Sequence, residues 1–192
     1  PPFARGEWSD TALTMQSMCE WGENANALNW LKLWMEKNKS EENDEIETEK
    51  NKKKLCCVAV DGGHLAALKW ARENGYPWTD TMCLSAASGG HLNILKWAWV
   101  NGCVGDSWVC WSAARGGHLE TLKWVRANGC PWDEGTCQAA VGGGHLEVLQ
   151  WARANGCPWD EGTCQAAARG GDLEALQWAR ANGCPWDNGT CY

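Results

Sequence analysis

The chain has 192 residues, a formal net charge of −7 and 44% hydrophobic residues, enough for one ordinary domain or one repeat array. The acidic balance excludes general nucleic-acid binding, which needs clustered Lys and Arg. No apolar run reaches the ~18 residues that a membrane span requires. Residues 1–13 read as an N-terminal loop, with Pro1-Pro2 and Gly6. The chain opens on Pro1 and not on Met, so the natural N-terminus is expected to lie upstream.

Residues 14–37 look like a degenerate copy of a unit that returns downstream. Ala27, Leu28, Leu31, Trp34 and Met35 have helical spacing, so a helix is expected from Asn24 to Lys37. Residues 38–54 read NKSEENDEIETEKNKKK, with Ile46 as the only apolar side chain. Such a stretch cannot bury enough surface to offset its ordering entropy and is expected to be a disordered insertion or a frayed helix.

From residue 55 to residue 192 the sequence repeats. WDEGTCQAAVGGGHLEVLQWARANGCP begins at Trp132, and WDEGTCQAAARGGDLEALQWARANGCP begins at Trp159, a period of 27 residues. A period in the range of 20 to 50 marks stacked structural repeats. One column holds Trp70, Trp97, Trp124, Trp151 and Trp178. Another holds Cys56, Cys83, Cys110, Cys137, Cys164 and Cys191. A third holds His64, His91, His118, His145 and Asp172. A fourth holds the Asn-Gly pairs at 74, 101, 128, 155 and 182. Five repeats therefore begin near Leu55, Met82, Val109, Thr136 and Thr163, and a sixth is cut off after Cys191-Tyr192, so the natural protein is expected to continue.

Each unit reads as two short helices. In the fourth, Asp133 is the expected N-cap of the first helix, in a column with Thr79, Asp106, Asp160 and Asp187. Cys137, Ala139 and Ala140 form its apolar side, and Gly142-Gly143-Gly144 ends it. The second helix starts near His145. It carries Leu146, Leu149, Trp151 and Ala152, and stops at Asn155-Gly156 before Pro158. Two such helices would not fold alone and need the next repeat to cover them. The expected fold is all-α, a solenoid of stacked helix-turn-helix repeats.

Twelve cysteines in a small secreted chain would suggest disulfides, but ten of them fall in two repeat columns. Equivalent residues of stacked helices lie ~10 Å apart, beyond the ~7 Å that a disulfide spans. The cysteines are therefore expected to be reduced core thiols acting as small buried hydrophobes, in an intracellular, cytoplasmic protein. A metal site is disfavoured: the histidine column also accepts Asp172 and Asn24, and no Cys-x2-Cys pair exists. No nucleophile elbow, phosphate loop or HExxH stretch is present. The chain is thus expected to be no enzyme and to need no cofactor.

Sixteen tryptophans against one phenylalanine are unusual. Those of the second helix read as packing between repeats. Those of the turn (Trp78, Trp132, Trp159, Trp186) either fold over the repeat ends or stay exposed as partner anchors. The third repeat breaks the pattern, with Val104-Gly105 in place of Pro-Trp and extra tryptophans at 99, 108 and 111.

The run from Thr136-Cys137-Gln138-Ala139-Ala140 to Gly144-His145-Leu146-Glu147-Val148-Leu149 resembles an ankyrin repeat. The alanines, the Gly-His-Leu-Glu stretch, the terminal Gly-Cys, and lysines 69, 96 and 123 match the family pattern. The resemblance covers residues 55–192 and, weakly, 14–37. The period is 27 rather than the family's longer one, so a tight Cys-Pro-Trp-Asp turn is expected in place of the projecting β-hairpin. Short, Trp/Cys-rich arrays of large DNA viruses and single-celled eukaryotes are similar. The resemblance implies protein–protein binding without catalysis, by a monomer, with no nucleic acid and no membrane. The concave face built by first helices and turns is the expected site, with Trp111, Arg115, Glu134, Gln138, Glu161, Gln165 and Arg169 on the helices and Trp132 and Trp159 on the turns. The alternative reading is a thiol-rich metal-binding or redox protein.

Overall fold

A computed structural model describes residue 53, residues 55–77 and residues 81–186. The expected N-terminal loop, the degenerate repeat and nearly all of the charged insertion lie outside the described residues, as do Trp78, Asp187 and Cys191. The chain divides into two compact units, Pro1–Met82 and Cys83–Tyr192. In the first, α1 (residues 55–61) and α2 (Leu65–Glu73) form one helix pair, and α3 (Thr81–Ser88) opens at the boundary. The second unit continues with α4 (Leu92–Val100), α5 (Ser107–Arg115), α6 (Leu119–Ala127), α7 (Glu134–Gly142), α8 (Leu146–Ala154), α9 (Glu161–Gly170) and α10 (Leu173–Ala181). No strand occurs among the described residues. The five second helices are α2, α4, α6, α8 and α10. All have nine residues and start 27 residues apart.

The packing follows from the apolar columns. The first helices α5, α7 and α9 pack on one another in sequence, and each also packs on the second helix of its own repeat. Their contact faces are made of small side chains. Cys110, Ala113, Cys137, Ala140, Cys164 and Ala167 are all fully buried. Small residues let helix axes approach closely, which is why alanine and cysteine fill these columns. Larger buried side chains come mainly from the second helices, Ile94 and Leu95, Leu122 and Val125, Val148 and Leu149, with Met82 and Val109 added by the first helices. Leu146 and Trp151 are among the apolar side chains that the sequence assigns to α8. Both are half-buried, and Val148 takes the buried position beside Leu149.

Each second helix ends in the same way. The asparagine side chain donates from Nδ2 to the tryptophan carbonyl four residues back, at 2.8 Å, in all five repeats. The glycine that follows has φ between 75° and 94°, a left-handed conformation that costs glycine nothing. The next backbone N–H then reaches back five residues, as from Cys157 to the Ala152 carbonyl at 3.0 Å, closing the helix in the Schellman manner. This is the physical content of the Asn-Gly column.

Helix starts are less uniform than the sequence suggests. Asp106 caps α5 by accepting from Trp108 N at 3.1 Å. Asp133 and Asp160 occupy the N-cap positions of α7 and α9 without a side-chain cap bond. Asp160 instead accepts from Gln138 Nε2 at 2.8 Å, tying one repeat to the next. The histidines show the same pattern. They stand at the starts of the second helices but cap none of them. The His118 ring lies against Gly116 of its own turn and Gly90 of the preceding repeat, and its Nε2 bonds the Ser88 carbonyl at 2.8 Å. The His145 ring crowds Gly117 in turn, within 2.5 Å of where a Cβ would stand. Only Asp172, which replaces histidine in the fifth repeat, caps: it accepts from Ala175 N at 2.9 Å.

One core position carries an uncompensated polar group. The hydroxyls of Thr136 and Thr163 are buried with no hydrogen-bond partner, where the same column has Leu55, Met82 and Val109. A buried hydroxyl without a partner costs about 1–3 kcal/mol. Thr136→Val keeps the shape and removes the hydroxyl, so it is expected to raise stability by about 1 kcal/mol. Urea unfolding checks this; a loss of stability would show that the hydroxyl has a partner.

Candidate functional site

The sequence-derived site residues fall on two layers. Trp111, Arg115, Glu134, Gln138, Glu161, Gln165 and Arg169 lie on α5, α7 and α9. Because these helices stack directly, three consecutive repeats contribute to one row. Arg115, Glu134, Glu161 and Arg169 are exposed, and Trp111, Gln138 and Gln165 are half-buried. The row is pre-ordered by contacts between repeats. The Trp111 ring lies 3.5 Å from where a Cβ on Gly135 would stand. Arg115 reaches over Gly142 of the next helix, its Nη1 2.6 Å from the corresponding point. Gln138 bonds Asp160, and Arg169 Nη2 donates to Gln165 Oε1 at 3.4 Å.

Glycines shape this row. The column of Arg115 and Arg169 has Gly142 between them, and the side-chain space it leaves is filled by the Arg115 guanidinium. The column of Gly135 and Gly162 has Trp108 in the third repeat. Trp108 is 59% exposed and meets Trp111 edge to face, with ring centroids 5.7 Å apart. Trp108 was noted in the sequence as one of three extra tryptophans but was not placed in the site. The signal was available: a tryptophan standing where its counterparts are glycine has no pocket in the repeat to receive it.

Trp132 and Trp159 belong to the other layer. Both are half-buried between two second helices, while the turn tryptophan Trp186 is exposed. The Arg126 guanidinium lies over the Trp132 ring at 4.0 Å, and Arg153 over Trp159 at 4.3 Å. On their other side, Trp132 meets Trp151 and Trp159 meets Trp178, with centroids 5.8 and 5.9 Å apart. The arginines are held in turn: Arg153 Nη1 donates to the Cys157 carbonyl at 2.7 Å, and Arg126 bonds the Cys130 carbonyl. Stacking on an aromatic face is a use to which the planar guanidinium is suited.

The junction of the second and third repeats keeps this stack with exchanged parts. Trp99 stands in the column of Arg126, Arg153 and Arg180, and Gly105 in the column of Trp132, Trp159 and Trp186. The Trp99 ring meets Trp124 edge to face at 5.4 Å, the contact that a turn tryptophan makes elsewhere. A Cβ on Gly105 would collide with the Trp99 ring, whose Cζ3 lies 2.6 Å from that point. The irregular junction has therefore lost neither its packing nor its tryptophan; the ring comes from helix α4 instead of the turn. Val100 and Val104 at the same junction are each 87% exposed, where the other repeats of this unit have alanine and proline.

Among the described residues, no three His, Cys, Asp or Glu side chains converge as a metal-binding group would require. No described helix is long and apolar enough to cross a membrane.

No protein-family model matches the chain, and no curated protein matches it. Among solved structures, the crystal structure of the human ASB11 ankyrin repeat domain is similar, with a TM-score of 0.62 at 16% identity. The match covers 88% of this chain and 83% of that one. The chain has the all-α fold of an ankyrin repeat array.

Proposed function

We propose that this chain is a non-catalytic protein-interaction scaffold, a short Trp/Cys-rich array of the ankyrin kind that binds a protein partner along its first helices. The observation that carries this reading is the row on α5, α7 and α9. There, stacked helices of three repeats present exposed arginines and glutamates beside the half-buried Trp111. Trp108 extends the row. Tryptophan and arginine dominate the binding energy of protein interfaces, and alternating charge gives register to the partner. Trp132 and Trp159 enter as a secondary rim, since each is already clamped between an arginine and a second-helix tryptophan. The scaffold acts as a monomer in the cytoplasm, with no cofactor, nucleic acid or membrane.

The test compares two baits in one host-cell lysate. One is the chain itself. The other carries Arg115→Glu, Glu134→Lys, Glu161→Lys and Arg169→Glu, all at exposed positions that leave the buried columns intact. Proteins retained only by the unaltered chain are the expected result, with the same helicity in both. Equal retention of the same proteins would refute this face.

A further inference from the structure

The cysteines form two columns that meet. One lies on the first helices (Cys83, Cys110, Cys137, Cys164), and the other follows the Asn-Gly turn after the second helix (Cys103, Cys130, Cys157, Cys184). Members 20 residues apart share a repeat. The sulfurs of Cys83 and Cys103 are joined, with Cα atoms 6.7 Å apart, inside the range of about 4.4–6.8 Å that disulfides span. The expectation of reduced core thiols is thereby corrected for this pair, while the other eight described cysteines are free. Its reasoning holds within a column, where neighbours are a helix spacing apart, but the Asn-Gly turn folds the second column back onto the first.

We infer that every complete pair is a redox-responsive dithiol: Cys110/Cys130, Cys137/Cys157 and Cys164/Cys184 close into the same intra-repeat disulfide as Cys83/Cys103. The surroundings repeat with the pair. Cys130, Cys157 and Cys184 point their Sγ at the carbonyls of Asp106, Asp133 and Asp160, at 2.9, 3.4 and 3.3 Å. Cys110 lies at the Cys130 carbonyl, 4.0 Å away. All these cysteines are buried.

In the third repeat the two thiols of the pair, Cys110 and Cys130, differ in acidity. The hydrogen bond shared with Cys130 and its own burial push the Cys110 thiol up, while that bond from Cys110 holds Cys130 below the ordinary cysteine value. A hydrogen bond to a thiolate favours it, while the bond from Cys130 Sγ to the Asp106 carbonyl favours the neutral thiol, so the order of attack within the pair is not assigned.

The oxidant is a small-molecule disulfide such as oxidised glutathione. The thiolate of one cysteine of the pair attacks one of its sulfurs, breaking that S–S bond, forming a mixed disulfide and releasing one glutathione thiolate. The other cysteine, losing its proton, then attacks the protein sulfur of that mixed disulfide. The Cys110–Cys130 bond forms and the second glutathione leaves. The two protein thiol protons go to the two glutathiones, and the protein loses two electrons to the reagent. Each closure ties the start of a first helix to the loop after its second helix.

The test uses the full chain, reduced, freed of reductant and held in oxidised glutathione. After alkylation it is cut with trypsin and with a protease that cleaves at aspartate. Asp106, Asp133 and Asp160 separate the consecutive pairs, so each cross-link can be placed. Cross-links of spacing 20 in all four repeats are expected, with two thiols lost per pair and a rise in Tm that dithiothreitol reverses. The first repeat is an internal control: Tyr76 stands where the others have the second cysteine, so Cys56 gives no cross-link of this spacing. Cys130→Ala is expected to remove only the link to Cys110 and to keep the other three and the helicity. Glutathione adducts without cross-links, same-column links such as Cys110 to Cys137, or thiols that all survive the oxidant would overturn the proposal. So would loss of the other three links from Cys130→Ala with helicity kept.

Discussion

Trp151→Ala is expected to lower unfolding stability by about 3 kcal/mol, at the low end of the range for truncating a large aromatic side chain. The ring is half-buried rather than fully buried, which sets the low end. It is nevertheless the ring on which Trp132 rests, and Trp132 in turn carries Arg126. Removing Trp151 therefore opens one side of a three-membered stack that joins two repeats. The Asn155 bond to the residue 151 carbonyl is a backbone contact and survives the substitution, so helix α8 should keep its end. Denaturant unfolding measured by circular dichroism checks this. A loss below about 1 kcal/mol, the size of an ordinary surface substitution, would show that the column does not hold the repeats together.

The exchanged parts at the junction of the second and third repeats lead to the second large effect. Gly105→Trp alone places a side chain into the space of the Trp99 ring and is expected to destabilise by at least about 2 kcal/mol, as overpacking does. Trp99→Arg alone leaves Trp124 without its edge-to-face neighbour. The double substitution rebuilds the Arg-over-Trp arrangement of the following repeats, seen at Arg126 and Trp132 and again at Arg153 and Trp159. It is expected to return to within about 1 kcal/mol of the parent, a strongly non-additive cycle. Additive losses would mean that Trp99 does not stand in for the turn tryptophan.

Much of this architecture is legible in the sequence because each feature that defines it recurs at one spacing. The Asn-Gly column marks the helix ends, since a left-handed residue after the last turn needs glycine and the asparagine side chain has a carbonyl within reach. The Cys-Ala columns mark the helix contacts, since only small side chains allow close approach. What periodicity does not encode is the choice of partner by a polar side chain. Asp106 caps its own helix, while Asp160, in the same column, turns to Gln138 of the preceding repeat. The difference follows the neighbour: Gln138 stands 22 residues before Asp160 and offers it an amide, whereas the residue 22 before Asp106 is Leu84, which has no polar group to donate. The meeting of the cysteine columns was hidden for a related reason. Spacing within a column follows from helix packing, but distance between columns depends on how the Asn-Gly turn folds back.

The candidate site was legible in part. The seven first-helix residues follow from taking the non-core positions of a stacked layer, and they lie on α5, α7 and α9. Trp132 and Trp159 could not be assigned from sequence, because a tryptophan in a turn serves equally as anchor or as strut. Their arginine and tryptophan neighbours are brought to them only by the stacking of second helices. Trp108 stood apart only when its glycine counterparts were read as the space that a tryptophan ring would need.

The most direct test of the interaction face is site-specific photocrosslinking from one repeat. Glu134 and Gln150 are both exposed, Glu134 on the first helix of the fourth repeat and Gln150 on its second. A benzophenone side chain is placed at one position or the other, and the chain is irradiated in host-cell lysate. Covalent adducts to a partner from position 134, and none from position 150, are the predicted result. Adducts from position 150 alone would put the partner on the second helices and contradict the assignment of the binding face.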